Sequence, residues 1–256
     1  MDGNDTMTHT AEATDLWLRR YHTAPDAAHR LVCLPHAGGS ASYFFGVARN
    51  LAPAVDVLAA QYPGRQDRRT EPCVATVTEL ADLLAAQVAG VADKPLSLFG
   101  HSMGAVLAFE VASRLEADGV RPHSIIVSGR RAPDTVRDEC VHLRDDDGLI
   151  AEIQSLSGTD TKVMQDEEIL RMVLPSIRND YRAVETYRGE PGRTVAAPIH
   201  ALIGDSDPKA TVDEVRRWAE HTTGAFALKV FPGGHFYLDH HVPEVLGLIR
   251  AALGVA

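Results

Sequence analysis

Gly100-His101-Ser102-Met103-Gly104 has the form G-x-S-x-G, in which a serine occupies a sharp turn from a strand into a helix. The residues before it, Leu96–Phe99, form a short apolar run, and Val106, Leu107, Phe109 and Val111 after it recur at helical spacing. So tight a turn leaves no room for side chains two residues either side of the serine, which accounts for glycine at 100 and 104. Ser102 would then stand above a sheet at a helix N-terminus, whose dipole favours developing negative charge. The five residues alone arise often by chance; their placement between strand and helix gives them weight. The chemistry they point to is nucleophilic attack on an acyl carbon.

A serine hydroxyl is a weak nucleophile at neutral pH and needs a base. There are 12 histidines. His22, His29, His123, His142, His200 and His221 lie in polar or connecting segments and are expected at the surface. His240 and His241 adjoin Asp239 but lack the further ligands a metal site requires. His235 differs, because Pro232-Gly233-Gly234-His235-Phe236 falls between the last strand run and the final helix. The chain order serine, acid, histidine is the one this arrangement uses. The acid belongs on the loop after the preceding strand, Gly204-Asp205-Ser206-Asp207-Pro208. Asp205 and Asp207 are two apart, so strand alternation does not separate them. One would orient the imidazole; the other would cap the next helix or face solvent. For an oxyanion, the backbone N–H groups of Met103 and Ala37 are the expected donors. Ala37 lies in Pro35-His36-Ala37-Gly38-Gly39-Ser40, where small residues allow close backbone approach. No G-x-G-x-x-G or Gly-Lys-Ser/Thr run is present, which argues against a nucleotide loop.

The elements that must position these residues alternate. Candidate strands are Leu31–Leu34, Val55–Ala60, Leu96–Phe99, Ser124–Ser128, Ile199–Ile203 and Phe226–Phe231. Helical patterns cover Ala41–Leu51, Val74–Val91, Met103–Ala117, Val212–His221 and Pro243–Leu253. That rhythm predicts an α/β fold with a mostly parallel sheet flanked by helices, and Leu16–Tyr21 adds an antiparallel edge. The chain reads as a single domain over 1–256, with 1–15 disordered. Only the interval Arg131–Ala197 breaks the pattern. It has no convincing strand, and Ile169, Met172, Val173, Ile177, Tyr181, Val184 and Tyr187 recur at helical steps, with Pro175 expected to kink or split the helix. An insertion that long either covers the sheet or forms a lid over the strand ends.

The chain has 256 residues and a formal charge of −10, with 45% hydrophobic and 23% charged residues, ordinary values for a globular protein. The acidic balance argues against nucleic acid and against an anionic membrane surface. Cys33, Cys73 and Cys140 are too few and too scattered for a disulfide framework or a zinc site. No run approaches the ~20 apolar residues of a membrane span, and Met1–Asp15 is not a signal peptide. A cytoplasmic protein without metal or cofactor is expected.

Taken together the segments resemble one family, the type II thioesterases that accompany polyketide and nonribosomal peptide synthases. The likeness runs from about Leu16 to Leu238. It includes Leu34–Ser40, Gln61-Tyr62-Pro63-Gly64-Arg65, the serine motif, Ser128-Gly129-Arg130-Arg131-Ala132-Pro133, Leu156-Ser157-Gly158-Thr159, Asp180-Tyr181, the aspartate loop, Trp218 and Gly233-Gly234-His235-Phe236. The resemblance implies an α/β-hydrolase fold in which 131–197 is a helical lid. It also implies a Ser102, Asp207, His235 triad, with Asp207 favoured over Asp205, acting on acyl thioesters held on the phosphopantetheine of acyl or peptidyl carrier proteins. The implied role is editing, the removal of stalled or aberrant chains. Met164, Leu170 and Met172 are candidates to shape the acyl pocket. Carrier proteins are themselves acidic, so a basic patch is wanted, and Arg65, Arg68 and Arg69 are its candidates. The competing readings are a general carboxylesterase, an acyltransferase on small acyl esters, and a catalytically silent module that binds carriers.

Overall fold

The computed structural model describes residues 16–157 and 167–255; Met164 lies outside them. The strands are β1 Leu18–Arg19, β2 His29–Leu34, β3 Val55–Ala60, β4 Leu96–His101, β5 Ser124–Ser128, β6 Ile199–Gly204 and β7 Phe226–Phe231. They form one sheet in the order β1-β3-β2-β4-β5-β6-β7. The edge strand β1 runs antiparallel to β3, with Leu18 opposite Ala60, and every other pairing is parallel. Every residue of β2, β3, β4 and β5 is buried. This is why those strands read as continuous apolar runs rather than alternating ones.

Helices cover both faces. Val77–Ala89 and Met103–Ala117 lie on one side over a core that includes Phe109 and Trp218. Phe45–Leu51 and Val242–Leu253 lie on the other, over Phe44, Phe99 and Ile249. The Thr76 hydroxyl starts the first of these helices by accepting from the Glu79 N–H at 3.1 Å, a satisfied N-cap. Because β2 and β4 to β7 are all parallel, the loops that follow them emerge along one edge of the sheet. The residues singled out for chemistry all sit on those loops.

The interval 131–197 carries a 3-10 turn at Val141–Leu143 and the helices Asp146–Ser157 and Glu167–Thr186. Val141, Leu149, Leu170, Leu174, Ile177 and Tyr181 form a separate buried cluster there. Within it, 170, 174, 177 and 181 follow the helical stripe. Of the two effects expected at Pro175, a kink or a split, the split does not occur: one helix runs through it from Glu167 to Thr186. Among the described residues, no helix is long and apolar enough to cross a membrane.

Candidate active site

At the turn between β4 and the Met103–Ala117 helix, Ser102 has φ 56° and ψ −116°, a strained conformation for any residue but glycine. The turn is closed by neighbours that leave no space for a Cβ. One built on Gly100 would stand 1.9 Å from the Gly104 carbonyl oxygen, and one on Gly104 would stand 1.9 Å from that of Leu34. The Ser102 N–H donates to Ser128 O at 2.8 Å, tying the elbow to the end of β5. Met103 is the first helical residue, so its N–H has no acceptor within the helix.

The loop after β2 is supported from three directions by Gln61-Tyr62-Pro63-Gly64-Arg65. The Tyr62 hydroxyl donates to Pro35 O at 3.1 Å, the Gln61 side-chain oxygen accepts from Ala41 N at 2.9 Å, and Arg65 donates to Gly39 O at 3.0 Å. Arg65 also forks onto Asp180, at 2.6 and 2.9 Å, and Asp180 accepts from the Gly38 N–H at 2.8 Å. Both side chains are buried. Asp180 lies on the Glu167–Thr186 helix, so the pair bolts that helix to the loop bearing Ala37.

His235 and Asp207 meet at the ends of β7 and β6. The imidazole Nδ1 lies 2.9 Å from each Asp207 carboxylate oxygen, and both side chains are buried. Asp205 instead faces solvent. Its carboxylate accepts from the Gly233 N–H at 3.0 Å and from the Ser206 hydroxyl at 2.8 Å, and those bonds hold its carboxyl below the usual range. Of the two aspartates left open by spacing, Asp207 touches the histidine and Asp205 pins the turn that carries it.

Two further rings pack near His235. That of His101 lies 4.9 Å from it, and His36 lies 6.0 Å from His101. Burial, with His235 second, drives His36 down to about 3 and His101 well below its ordinary value. Both therefore stay neutral and add no fixed charge beside His235.

Ser102, His235 and Ala37 line one cavity of about 420 Å³. Its far wall includes Leu170, Val173, Ile177 and Tyr181, all from the Glu167–Thr186 helix. Leu170 therefore lines the cavity that holds Ser102. Met172 does not: it is 64% exposed, since two helical steps of 100° turn it away from Leu170.

The expected docking arginines also need correction. Arg65 and Arg68 are only 6% and 3% exposed. Arg65 is committed to Asp180, while Arg68 pairs with Glu71, donates to Gln61 O and lies over the Trp17 ring. A desolvated guanidinium needs such partners, so neither offers charge to another protein. Arg69 is exposed. The histidines expected at the surface also include two buried ones. His29 meets Ser97 Oγ at 3.0 Å, and His221 Nδ1 donates to Arg193 O at 2.9 Å.

Residues 29–253 match the thioesterase domain family model. The chain belongs to the thioesterase domain family. Over 232 residues this thioesterase is 53% identical to Thioesterase PikA5 of Streptomyces venezuelae, covering 90% of this chain and 83% of that protein. It shares 53% identity over 250 residues with a probable cadicidin biosynthesis thioesterase of Streptomyces griseus, covering 97% and 69%. Among solved structures it resembles the type II thioesterase BorB from the borrelidin biosynthetic cluster, at 51% identity and TM-score 0.89 over 93% of this chain and 98% of that one. RedJ, the thioesterase of the prodiginine pathway in Streptomyces coelicolor, superposes with TM-score 0.84 at 36% identity, over 90% and 92%. The sheet and helices are those of an α/β-hydrolase.

Arg65 and Asp180 stood out in the sequence, one as a docking charge and the other within the family likeness, but neither as a brace for this thioesterase's loop. Asp180 and Arg65 are far apart in the chain, and only folding joins them. Asp180→Ala leaves the Arg65 guanidinium buried without its counter-charge, a loss of about 3–5 kcal/mol. Urea unfolding should show that loss, and an Arg65→Met, Asp180→Leu double variant should recover most of it. An Asp180→Ala midpoint equal to wild type would contradict the assignment.

Proposed function

We propose that the protein is a type II thioesterase that hydrolyses acyl groups from the phosphopantetheine arm of acyl or peptidyl carrier proteins. It thereby clears stalled or wrongly primed chains from a polyketide or nonribosomal peptide synthase in the cytoplasm. The observation that carries the reaction is the His235–Asp207 pair facing the cavity that also holds the strained Ser102. The substrate class rests on the identity with PikA5 and BorB.

In the proposed reaction Ser102 Oγ attacks the thioester carbonyl while His235 Nε2 takes its proton. Asp207 accepts from Nδ1–H and steadies the imidazolium. The N–H groups of Ala37 and Met103 receive the oxyanion. His235 then returns the proton to the departing pantetheine sulfur. Water, deprotonated by His235, attacks the acyl-serine carbonyl, and as the intermediate collapses His235 returns that proton to Ser102 Oγ, releasing the acid and restoring the free enzyme. Protein groups and water balance every step, so no metal or cofactor is invoked. The domain is a single hydrolase unit in which the helices of 131–197 act as a lid, and Arg69 is the remaining docking candidate of the three arginines.

Intact-mass spectrometry tests this reading. Incubating the protein with an acyl-loaded holo carrier should return the carrier to its free-thiol mass. Persistence of the acyl mass would overturn it, and equal turnover of a matched small oxoester would favour a general carboxylesterase.

A further inference from the structure

Arg130 stands two residues beyond Ser128, the end of β5, and lines the cavity that holds Ser102 and His235. It is only 7% exposed. Its neighbours in charge are fully engaged. Arg131 pairs with Glu139 at 2.5 Å and donates to Thr135 O and Lys209 O. Glu139 also meets Lys209. Glu185 accepts from His142 Nδ1 at 2.5 Å and from the N–H groups of Val141 and His142. Arg130 has no such set. Among the described residues its guanidinium makes one hydrogen bond, to Val184 O, at 3.3 Å, long for an N–H donor. Its backbone, by contrast, is fixed, because Trp218 Nε1 donates to Arg130 O at 2.8 Å.

A guanidinium carries five N–H donors, and burying them unpaired is costly. Burial, with Arg131 next in effect, lowers its pKa to about 10, so it stays charged at neutral pH. A buried cation in the wall of an acyl cavity, short of acceptors, discriminates between chains. A plain alkyl chain lying against it leaves the donors without partners, whereas an oxygen on the chain receives one. Glu139 and Glu185 line the same cavity but are paired with Arg131, Lys209 and His142, so a carboxylated chain is the competing ligand, which the malonyl thioester tests.

We infer that Arg130 is a specificity residue that selects acyl chains bearing a ketone or hydroxyl oxygen over saturated chains of equal length. This rests on the thioesterase reading above and names the substrate class of that same site.

The test compares kcat/KM for the N-acetylcysteamine thioesters of hexanoate, 3-hydroxyhexanoate, 3-oxohexanoate and 5-oxohexanoate. Each value is divided by that thioester's own hydroxide-catalysed rate, which removes differences in electrophilicity. Wild type should favour at least one oxygenated chain over hexanoyl by about ten-fold or more. In Arg130→Met that ratio should fall to about one. A purely structural role would lower all substrates together and leave the ratio intact, which would overturn the inference. So would a wild-type ratio of one, a measurement that needs no variant and decides the matter even if Arg130→Met does not fold. Selection confined to a carboxylated chain, measured with the malonyl thioester, also counts against it. Hydrolysis of hexanoyl with no preference sinks Arg130 alone, whereas no hydrolysis of any thioester sinks the thioesterase reading and this inference with it.

Discussion

Ser102→Ala should lower kcat on an acyl-carrier thioester by a factor of about 10⁵ to 10⁶, with thermal stability unchanged. The two halves of that expectation come from different features of the elbow. The rate loss follows from removing the hydroxyl that His235 deprotonates in the proposed reaction, so residual turnover would reflect binding and the proposed oxyanion donors. The unchanged stability follows because alanine keeps the Cβ and hence the same strain at φ 56°. Ser102→Gly separates the two. It is equally inactive, but it relieves a conformation that costs of order 1–3 kcal/mol, offset by the added freedom of glycine in the unfolded chain. Thermal melts and single-turnover mass spectrometry on the three proteins check this. Turnover retained by Ser102→Ala would remove the serine from the mechanism.

The second large effect distinguishes two carboxylates that sit two residues apart. Asp207→Asn should reduce kcat by about 10⁴, since an amide beside Nδ1 favours the wrong tautomer of the imidazole. Asp205→Asn should cost no more than a few-fold, because its carboxylate bonds to Gly233 N–H and Ser206 rather than to the ring. The comparison is informative because both changes conserve volume. If the two variants lost activity equally, the contact seen between His235 and Asp207 would not be the one that governs the reaction.

Fold and site were legible in the sequence to different depths. Strand runs gave the sheet, because parallel strands buried on both faces must be apolar along their length, and even the antiparallel edge at Leu18–Arg19 was readable. The serine turn was legible for a steric reason, the backbone carbonyls packed against Gly100 and Gly104. Spacing left Asp205 and Asp207 open because residues two apart share one strand face; what separates them is that the strand has ended, since Asp207 N donates to Gly204 O and the chain has already turned there. Met172 could have been set aside, since the stripe through Leu170, Leu174, Ile177 and Tyr181 places it on another face. The arginines could not. A run of basic residues after a turn looks the same in sequence whether it faces water or a buried carboxylate, and Asp180 lies over a hundred positions from Arg65.

That bolt between Arg65 and Asp180 has a mechanical corollary. The helix it fastens also supplies Leu170, Val173 and Ile177 to the acyl wall, and Ile177 packs so close to Gly38, at φ 75°, that a Cβ there would stand 2.6 Å from its Cγ1. The cavity wall and the loop after β2 are thus tied together twice, by a buried ion pair and by direct packing. With Ala37 N–H as the proposed oxyanion donor, a chain too bulky for the wall would disturb that donor as well, and misfit would register as slower chemistry rather than only as weaker binding. On the proposed reaction, the part that measures the substrate would also be the part that holds the transition state.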